Sequence, residues 1–441
     1  MSVSAARACA YATLRRVTAE GAYADRAFRS QAERAGLDHR DRAFAQRLAY
    51  GAIQRLRTLD HVIEALASRP VDAPVLDALR LGVLQLVWMG SVPDRAAVDQ
   101  TVELVKAESP RAAGFANAVM RRAAREAPAI VARLDPDSPV ALSHPDWLAE
   151  MWADALGPAE AAALMRADNE PAESALRANT LRATRDDLLA ALRDLGADAR
   201  PAPPLRMAEA DGGGDLAGEV PAGLPEGIVV GGAFDAHGSG LFADGLLMPQ
   251  SRGSMLVARA LDPQPGERVL DMCAAPGAKS THLAALMAND GEVVAVERNA
   301  ARGRELADNA RRLGATIVDV RVADAREPAG GAFDRVLLDA PCSDLGTLQS
   351  RPDARWRKSP DAIADLARLQ RELMATAVAQ LGPGGTIVYS VCTISPSEGR
   401  KQIEWLLAEH PELAPWADPV QLLPHRDGTD GFFIARMGRR A

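Results

Sequence analysis

Only four cysteines occur in the 441 residues, Cys9, Cys273, Cys342 and Cys392, and none belongs to a Cys-x-x-Cys pair. Isolated, widely spaced cysteines build neither a disulfide framework nor a structural zinc site. No metal is therefore expected, and any thiol in use is a free one in a reducing compartment. Two of the four stand in unusual company. Cys342 closes the run Asp339-Ala-Pro-Cys, and Cys392 closes Tyr389-Ser-Val-Cys. Upstream, Asp271-Met-Cys-Ala-Ala-Pro-Gly-Ala-Lys279-Ser is a stretch of small residues that ends on one of only four lysines. Glu297 and Asp324 each close a further apolar segment. A single cysteine taken at random is a buried, inert residue more often than not. Two that follow neighbouring apolar segments, beside a set of acids, point to chemistry instead.

The elements that must hold these residues are legible. Apolar stretches at 267–272, 292–297, 316–324, 333–340 and 384–391 read as strands, with a last one at 431–437, and amphipathic helices lie between them. Buried strands alternating with helices predict a doubly wound, mainly parallel α/β sheet over 251–441. Ligands bind such sheets beyond the carboxyl ends of the strands, where every residue singled out above falls. The turn after the first strand is poor in glycine and matches neither the dinucleotide fingerprint nor the phosphate loop. Its small residues and Gly277 let a ligand approach the backbone, and a helix beginning near 279–282 turns its first amides to the crevice. Glu297 lies 26 residues beyond Asp271. A carboxylate there suits the two hydroxyls of a ribose. Asp324 is placed to receive an adenine amino group. Together these describe a pocket for an adenosine without phosphates, and S-adenosylmethionine (AdoMet) is the cofactor that fits.

A sulfonium methyl donor beside two thiols suggests one reaction in particular. Cytosine C5 is too weak a nucleophile to attack a sulfonium methyl unaided. A thiolate that adds to C6 makes C5 enamine-like; C5 takes the methyl group, a base removes the C5 proton, and the thiol leaves. A free thiol ionises near about 8.5, so the site must favour the thiolate or take its proton during the attack. Asp339 can protonate or hydrogen-bond N3 of the base, Lys279 adds positive charge, and a second thiol can assist proton removal or release. An amino-group methyltransferase needs no cysteine and carries Pro-Pro and an aromatic where this chain has Ala-Pro-Cys.

The rest of the chain is of a different kind. Residues 1–140 repeat apolar positions at helical spacing with no strand-like alternation, which predicts an all-α bundle. They hold 20 basic and 16 acidic residues, whereas the remainder holds 31 and 43. The whole chain is thus acidic, at −8, which argues against indiscriminate binding to polyanions but leaves room for a local basic face. Residues 111–128 offer such a face through Arg111, Arg121, Arg122 and Arg125. Residues 141–250 read as a small α+β connector; 201–246 contain 11 of the 35 glycines, including a Gly-Gly-Gly run at 212–214, and mark loops with short strands such as 227–230. No apolar run approaches a membrane span and the start lacks the form of a signal peptide, so a cytoplasmic protein is expected.

The segments AAPGAKS, DAPCSDLGTLQSRPDARWR and YSVCTISPSEG resemble the motifs of RNA cytosine-C5 methyltransferases of the RsmB/Sun type. The N-terminal helical region is similar to the NusB-like RNA-binding domain of the same proteins. The resemblance implies three parts: a NusB-like bundle at 1–140, a connector at 141–250, and a Rossmann-like AdoMet-dependent methyltransferase domain at 251–441. It implies methylation of one cytosine of small-subunit (16S) rRNA or of its ribosomal precursor. It makes Cys392 the nucleophile, with Cys342 assisting breakdown of the adduct. It maps cofactor contacts onto Cys273, Ala274, Ala275, Pro276, Gly277, Ala278 and Lys279, and onto Glu297, Asp324 and Asp339. Five positions depart from the family pattern: Ala278 for Gly, Ser280 for Thr, Glu297 for the frequent Asp, Val391 for Thr, and Asp344 for Gly.

Arg351, Arg355, Trp356, Arg357 and Lys358 follow the fourth strand at the crevice rim. Arg355, Arg357 and Lys358 are expected to hold RNA phosphates, with the target base splayed out of its stack to reach Cys392. Two other readings stand beside this one. The substrate could be tRNA or another rRNA site, or the protein could be a non-catalytic RNA-binding assembly factor, which retention of both thiols, Lys279 and the cofactor acids disfavours.

Overall fold

Helical periodicity dominates the first part of the chain, and the computed structural model, which describes residues 3–205, 223–232 and 234–439, is helical there. The chain divides into two units, Met1–Pro171 with Leu348–Lys358, and Ala172–Thr347 with Ser359–Ala441. In the first unit, helices Ala5–Glu20, His39–Gln54, Leu56–Leu66, Ala73–Trp88 and Ala113–Ala132 surround one aliphatic core. Leu14, Leu48, Ile53, Leu59, Leu79 and Leu81 are buried in it, as the low aromatic content requires. Left-handed glycines, Gly21 and Gly36, end helices Ala5–Glu20 and Ala24–Ala35, and Asp38 caps His39–Gln54 by accepting from the Asp41 amide. Two more helices, Asp146–Leu156 and Pro158–Ala167, also fall within this unit.

The second unit begins with a four-stranded antiparallel sheet in the order β2-β3-β1-β4. Its strands are β1 (Ala175–Ala178), β2 (Asp198–Pro201), β3 (Gly227–Gly231) and β4 (Leu247–Pro249). Helix Arg185–Asp194, held by a Thr184–Asp187 capping box, covers it with Leu188, Leu189 and Leu192. The strand read at 227–230 is β3, and the glycine run at 212–214 lies outside the described residues.

The larger sheet contains β5 (Arg268–Asp271), β6 (Glu292–Val296), β7 (Val318–Arg321), β8 (Phe333–Asp339) and β9 (Leu381–Val391). It is completed by β10 (Leu413–Pro415), β11 (Val420–Leu422) and β12 (Phe432–Arg439). Its order is β10-β12-β9-β8-β5-β6-β7, with β11 paired to β12. The five strands from β5 to β9 are parallel, and β12 runs antiparallel to β9. Val269, Leu270, Val293, Val294, Val336, Leu337 and Leu338 are wholly buried, as strands covered on both faces require. Register places Asp271 opposite Leu337 and Ala295, and Asp339 opposite Ser390. The carboxyl ends therefore come into one row. The strands β10 and β11 were not apparent in the sequence; each is only three residues long and pairs solely with β12.

Candidate active site

At the end of β5 the chain turns through residues 272–277 into helix Ala278–Leu286. Asp271 is buried and accepts from Ser280 Oγ at 2.7 Å. Burial is the main reason its carboxyl is pushed up to about 7; the Ser280 hydrogen bond works against that and the charge of Asp339 adds to it. Gly277 caps the helix with φ +99°, and a Cβ there would meet Leu306 Cγ at 3.1 Å. The turn is gripped by its carbonyls. Arg302 donates to the Ala275 oxygen at 2.7 Å and Asn309 to that of Pro276 at 3.0 Å. Arg177, fully buried on β1, donates to the Ala278 oxygen and, at 2.9 Å, to Thr281 Oγ1. Neither Arg302 nor Arg177 was singled out in the sequence, since nothing local marks an arginine that serves a distant carbonyl.

Glu297, just past β6, is buried, with one oxygen accepting from the Asn299 amide at 2.8 Å and the other 3.7 Å from Arg302. Asp324, just past β7, accepts from the Arg326 guanidinium at 2.7 Å and from its amide at 3.0 Å. These bonds hold its carboxyl down at about 2. The Cys273 thiol is pushed well up by burial and then by the charges of Asp271, Asp339 and Glu297, so it stays a neutral group in the turn. A small-residue turn with a glycine cradle and a buried carboxylate, Glu297, at the end of the adjacent strand is a donor set that fits an adenosine bearing a sulfonium.

The fourth and fifth strand ends meet. Asp339 accepts from Lys279 Nζ at 2.7 Å through one oxygen and from Ser390 Oγ at 2.7 Å through the other. Burial alone would lower the pKa of Lys279, but the charge and hydrogen bond of Asp339 outweigh it and raise it, so the ammonium persists. Cys342 Sγ and Cys392 Sγ are 3.3 Å apart. The Cys392 thiol is pushed well above its ordinary value by its hydrogen bond to Cys342, by burial, and by the charges of Cys342, Asp344 and Asp339. At rest it carries its proton.

A buried carboxylate clamps the two thiol loops together. Glu398, fully buried, accepts from the Ser343 amide at 2.8 Å and from the Ser343 hydroxyl. Thr393 Oγ1 donates to it at 3.3 Å, and Gln370 Nε2 at 3.2 Å while also reaching the Pro341 oxygen. Tyr389 OH in turn donates to the Glu398 carbonyl at 2.6 Å. Gly346 brings the backbones together: its amide donates to the Cys392 oxygen at 3.0 Å, and a Cβ there would lie 2.0 Å from the Gly431 oxygen. Glu398 stands inside YSVCTISPSEG but was not picked out, because an acid after Ser-Pro-Ser reads as a helix-start residue.

One expectation is corrected. Arg355 is fully buried in the helical unit, where it donates to the carbonyls of Gln54, Ser143 and Asp168 and to Asn169 Oδ1 at 2.9 Å. Its guanidinium is spent on carbonyls and cannot reach a phosphate. Trp356 also turns inward and donates to the Ile53 oxygen at 2.7 Å. Arg357 pairs with Asp353 at 2.9 Å and lies 3.9 Å from the Tyr23 ring centroid, while Lys358 is half-buried.

A mainly parallel sheet closed by one antiparallel strand, with its polar residues gathered at the carboxyl ends, defines the class: this is a methyltransferase fold preceded by a NusB-like helical domain. Family profiles match three stretches: the NusB family at 4–125, the ferredoxin-like domain of RsmF/B-like methyltransferases at 144–208, and the 16S rRNA methyltransferase RsmB/F family at 258–438. The chain is 34% identical to "Probable ribosomal RNA small subunit methyltransferase B" of Bacillus subtilis over all of both chains. It is 37% identical to ribosomal RNA small subunit methyltransferase B of Thermus thermophilus, over 94% of this chain and 92% of that one. The crystal structure of the protein PH0851 matches 99% of both chains with a TM-score of 0.80 and 25% identity. The chain belongs to the RsmB/F family of rRNA methyltransferases, as its motifs led one to expect. Among the described residues no helix is long and apolar enough to cross a membrane.

Proposed function

We propose that the protein is a cytoplasmic AdoMet-dependent methyltransferase that forms 5-methylcytosine in small-subunit (16S) rRNA or its ribosomal precursor. The observation that carries this reading is the pair of thiols at 3.3 Å beside the Lys279–Asp339 ion pair. An amino- or hydroxyl-directed methyltransferase has no use for such a pair. The turn from Cys273 to Lys279, with Glu297, Asp324 and Asp339, would hold AdoMet, which supplies an electrophilic methyl group when bound. Cys392 adds to C6 of the cytosine. As sulfur adds to C6, a proton held in the Lys279–Asp339 pair passes to N3, and Asp339, kept in place by Lys279 and Ser390, accepts the resulting N3–H hydrogen bond, which leaves C5 enamine-like. Cys342 assists loss of the C5 proton and departure of Cys392. The bundle at 1–140 and the connector at 141–250 supply affinity and register for the domain at 251–441, with Arg357 and Lys358 as phosphate contacts.

The test is tritium transfer from methyl-labelled AdoMet to unmodified small-subunit rRNA by the full chain. Cys392→Ala should lower transfer by at least about 10³-fold, as loss of a covalent nucleophile does. Cys342→Ala should instead accumulate an RNA–protein adduct stable on a denaturing gel. Normal transfer by Cys392→Ala would overturn the covalent mechanism. Label appearing only in tRNA would move the substrate, and rRNA binding with no transfer at all would favour an assembly factor.

A further inference from the structure

The thiol pair has a third neighbour. Cys392 Sγ donates to Asp344 Oδ1 at 3.3 Å, and both sulfurs and a carboxylate oxygen of Asp344 lie within 4.8 Å of one another. Asp344 occupies the family's glycine position, and its backbone shows why glycine suits it: φ is +61°. A side chain in that left-handed region is strained, and aspartate is among the residues that tolerate it best. The carboxylate is also half-buried next to a neutral thiol. The charged and titratable groups that face Cys392 are Cys342 and Asp344 from the loop after β8, Asp339 at the end of β8, and Lys279 from helix Ala278–Leu286. Asp339 is already engaged by Lys279 and Ser390. Among the described residues, Asp344 offers the one oxygen in hydrogen-bond contact with the Cys392 sulfur.

We propose that Asp344 is the general base for Cys392: the Sγ proton passes to Asp344 Oδ1 as the sulfur adds to C6 of the target cytosine. The proposal rests on the cytosine-C5 reading above. In the forward step the S–H bond breaks, O–H and S–C6 bonds form, and the C5–C6 π pair shifts onto C5 in conjugation with C4–N3, from where it bonds the methyl group released by the sulfonium donor. In the reverse step a base takes the C5 proton, and the C5–H pair forms the C5–C6 double bond as the S–C6 bond breaks. Sulfur leaves with the S–C6 pair and recovers its proton from Asp344. Because the resting thiol is protonated, the transfer accompanies attack rather than preceding it.

A carboxylate beside a thiol has an alternative role, simple repulsion of the thiolate, and the two roles predict opposite signs. The experiment uses the full chain with Asp344→Asn and Asp344→Gly. The glycine variant relieves the left-handed strain and so retains the fold. One arm measures alkylation of the Cys392 peptide by iodoacetamide against pH, in a Cys342→Ser background and without RNA. The other measures single-turnover methyl transfer to small-subunit rRNA with Cys342 intact. The expected result is a split. Alkylation near neutral pH rises about tenfold, equivalent to about one unit in thiol pKa, while methyl transfer falls about 10²-fold. Asp344→Glu should recover part of the loss. Methyl transfer that is unchanged or faster in Asp344→Asn overturns the proposal, and so does an unshifted alkylation profile. Failure of the underlying reading is distinct, because it appears as absence of cytosine methylation by the wild type before any substitution.

Discussion

The two halves of the crevice are held in different ways. On the cofactor side the two acids past β6 and β7 are fixed by near neighbours in the chain, Glu297 by Asn299 and Asp324 by Arg326, while only the turn after β5 is also gripped from farther off, by Arg302, Asn309 and Arg177. On the thiol side the holding groups come from afar. Glu398 ties Ser343 to Thr393 across about fifty residues of chain, and Gln370 joins from a third element. A cofactor pocket tolerates local construction because the ligand brings its own shape. The proposed reaction needs a nucleophile, a release thiol and an acid fixed relative to one another, and mispositioning of about 1 Å can cost about 10²-fold in rate.

If that contrast is right, its largest consequence lies at Glu398. Glu398→Ala should lower kcat by about 10²-fold with little change in AdoMet affinity. It should also destabilise the fold, since each donor left unpaired in the interior costs about 1–3 kcal/mol. Glu398→Gln, which keeps one acceptor oxygen, should fall between. A matching loss of AdoMet binding, followed by calorimetry, would break the contrast. A smaller effect is expected from Glu297→Gln, which should weaken AdoMet binding about tenfold, equivalent to about 1.4 kcal/mol, and leave alkylation of Cys392 unchanged.

The smallest effect concerns pH. Asp271 keeps its proton up to about 7 in the folded protein, against an ordinary value of 3.8. Between those values the folded state binds more protons than the unfolded one, so stability falls as pH rises through the window. Asp271→Asn should flatten that slope in urea unfolding measured from pH 4 to 7. An unchanged slope would remove Asp271 from the account.

The same contrast explains what the sequence disclosed. Asp271, Glu297, Asp324, Asp339, Cys342 and Cys392 were legible because a strand's carboxyl end is a local property of apolar runs and turns. Fold class followed from the same alternation. Glu398 and Asp344 were not assigned roles, since their significance lies in which sulfur or hydroxyl arrives opposite them. Arg355 was misread for a related reason. A guanidinium reads as a surface group, and nothing near it in the chain announces carbonyls from Gln54, Ser143 and Asp168.

The segment Leu348–Lys358 leaves the methyltransferase part of the chain, belongs to the helical unit, and returns. The chain therefore passes between the units three times, and the helical unit is not a detachable prefix. A gene fragment starting at residue 172 would encode this eleven-residue strap without the carbonyls that neutralise Arg355 or the backbone that receives the Trp356 indole. Such a fragment should be nicked by protease within 348–358, whereas the intact chain should resist there. Module shuffling in this architecture has to carry the strap along with the bundle, so exchange of the helical part by simple end-to-end fusion is closed to it.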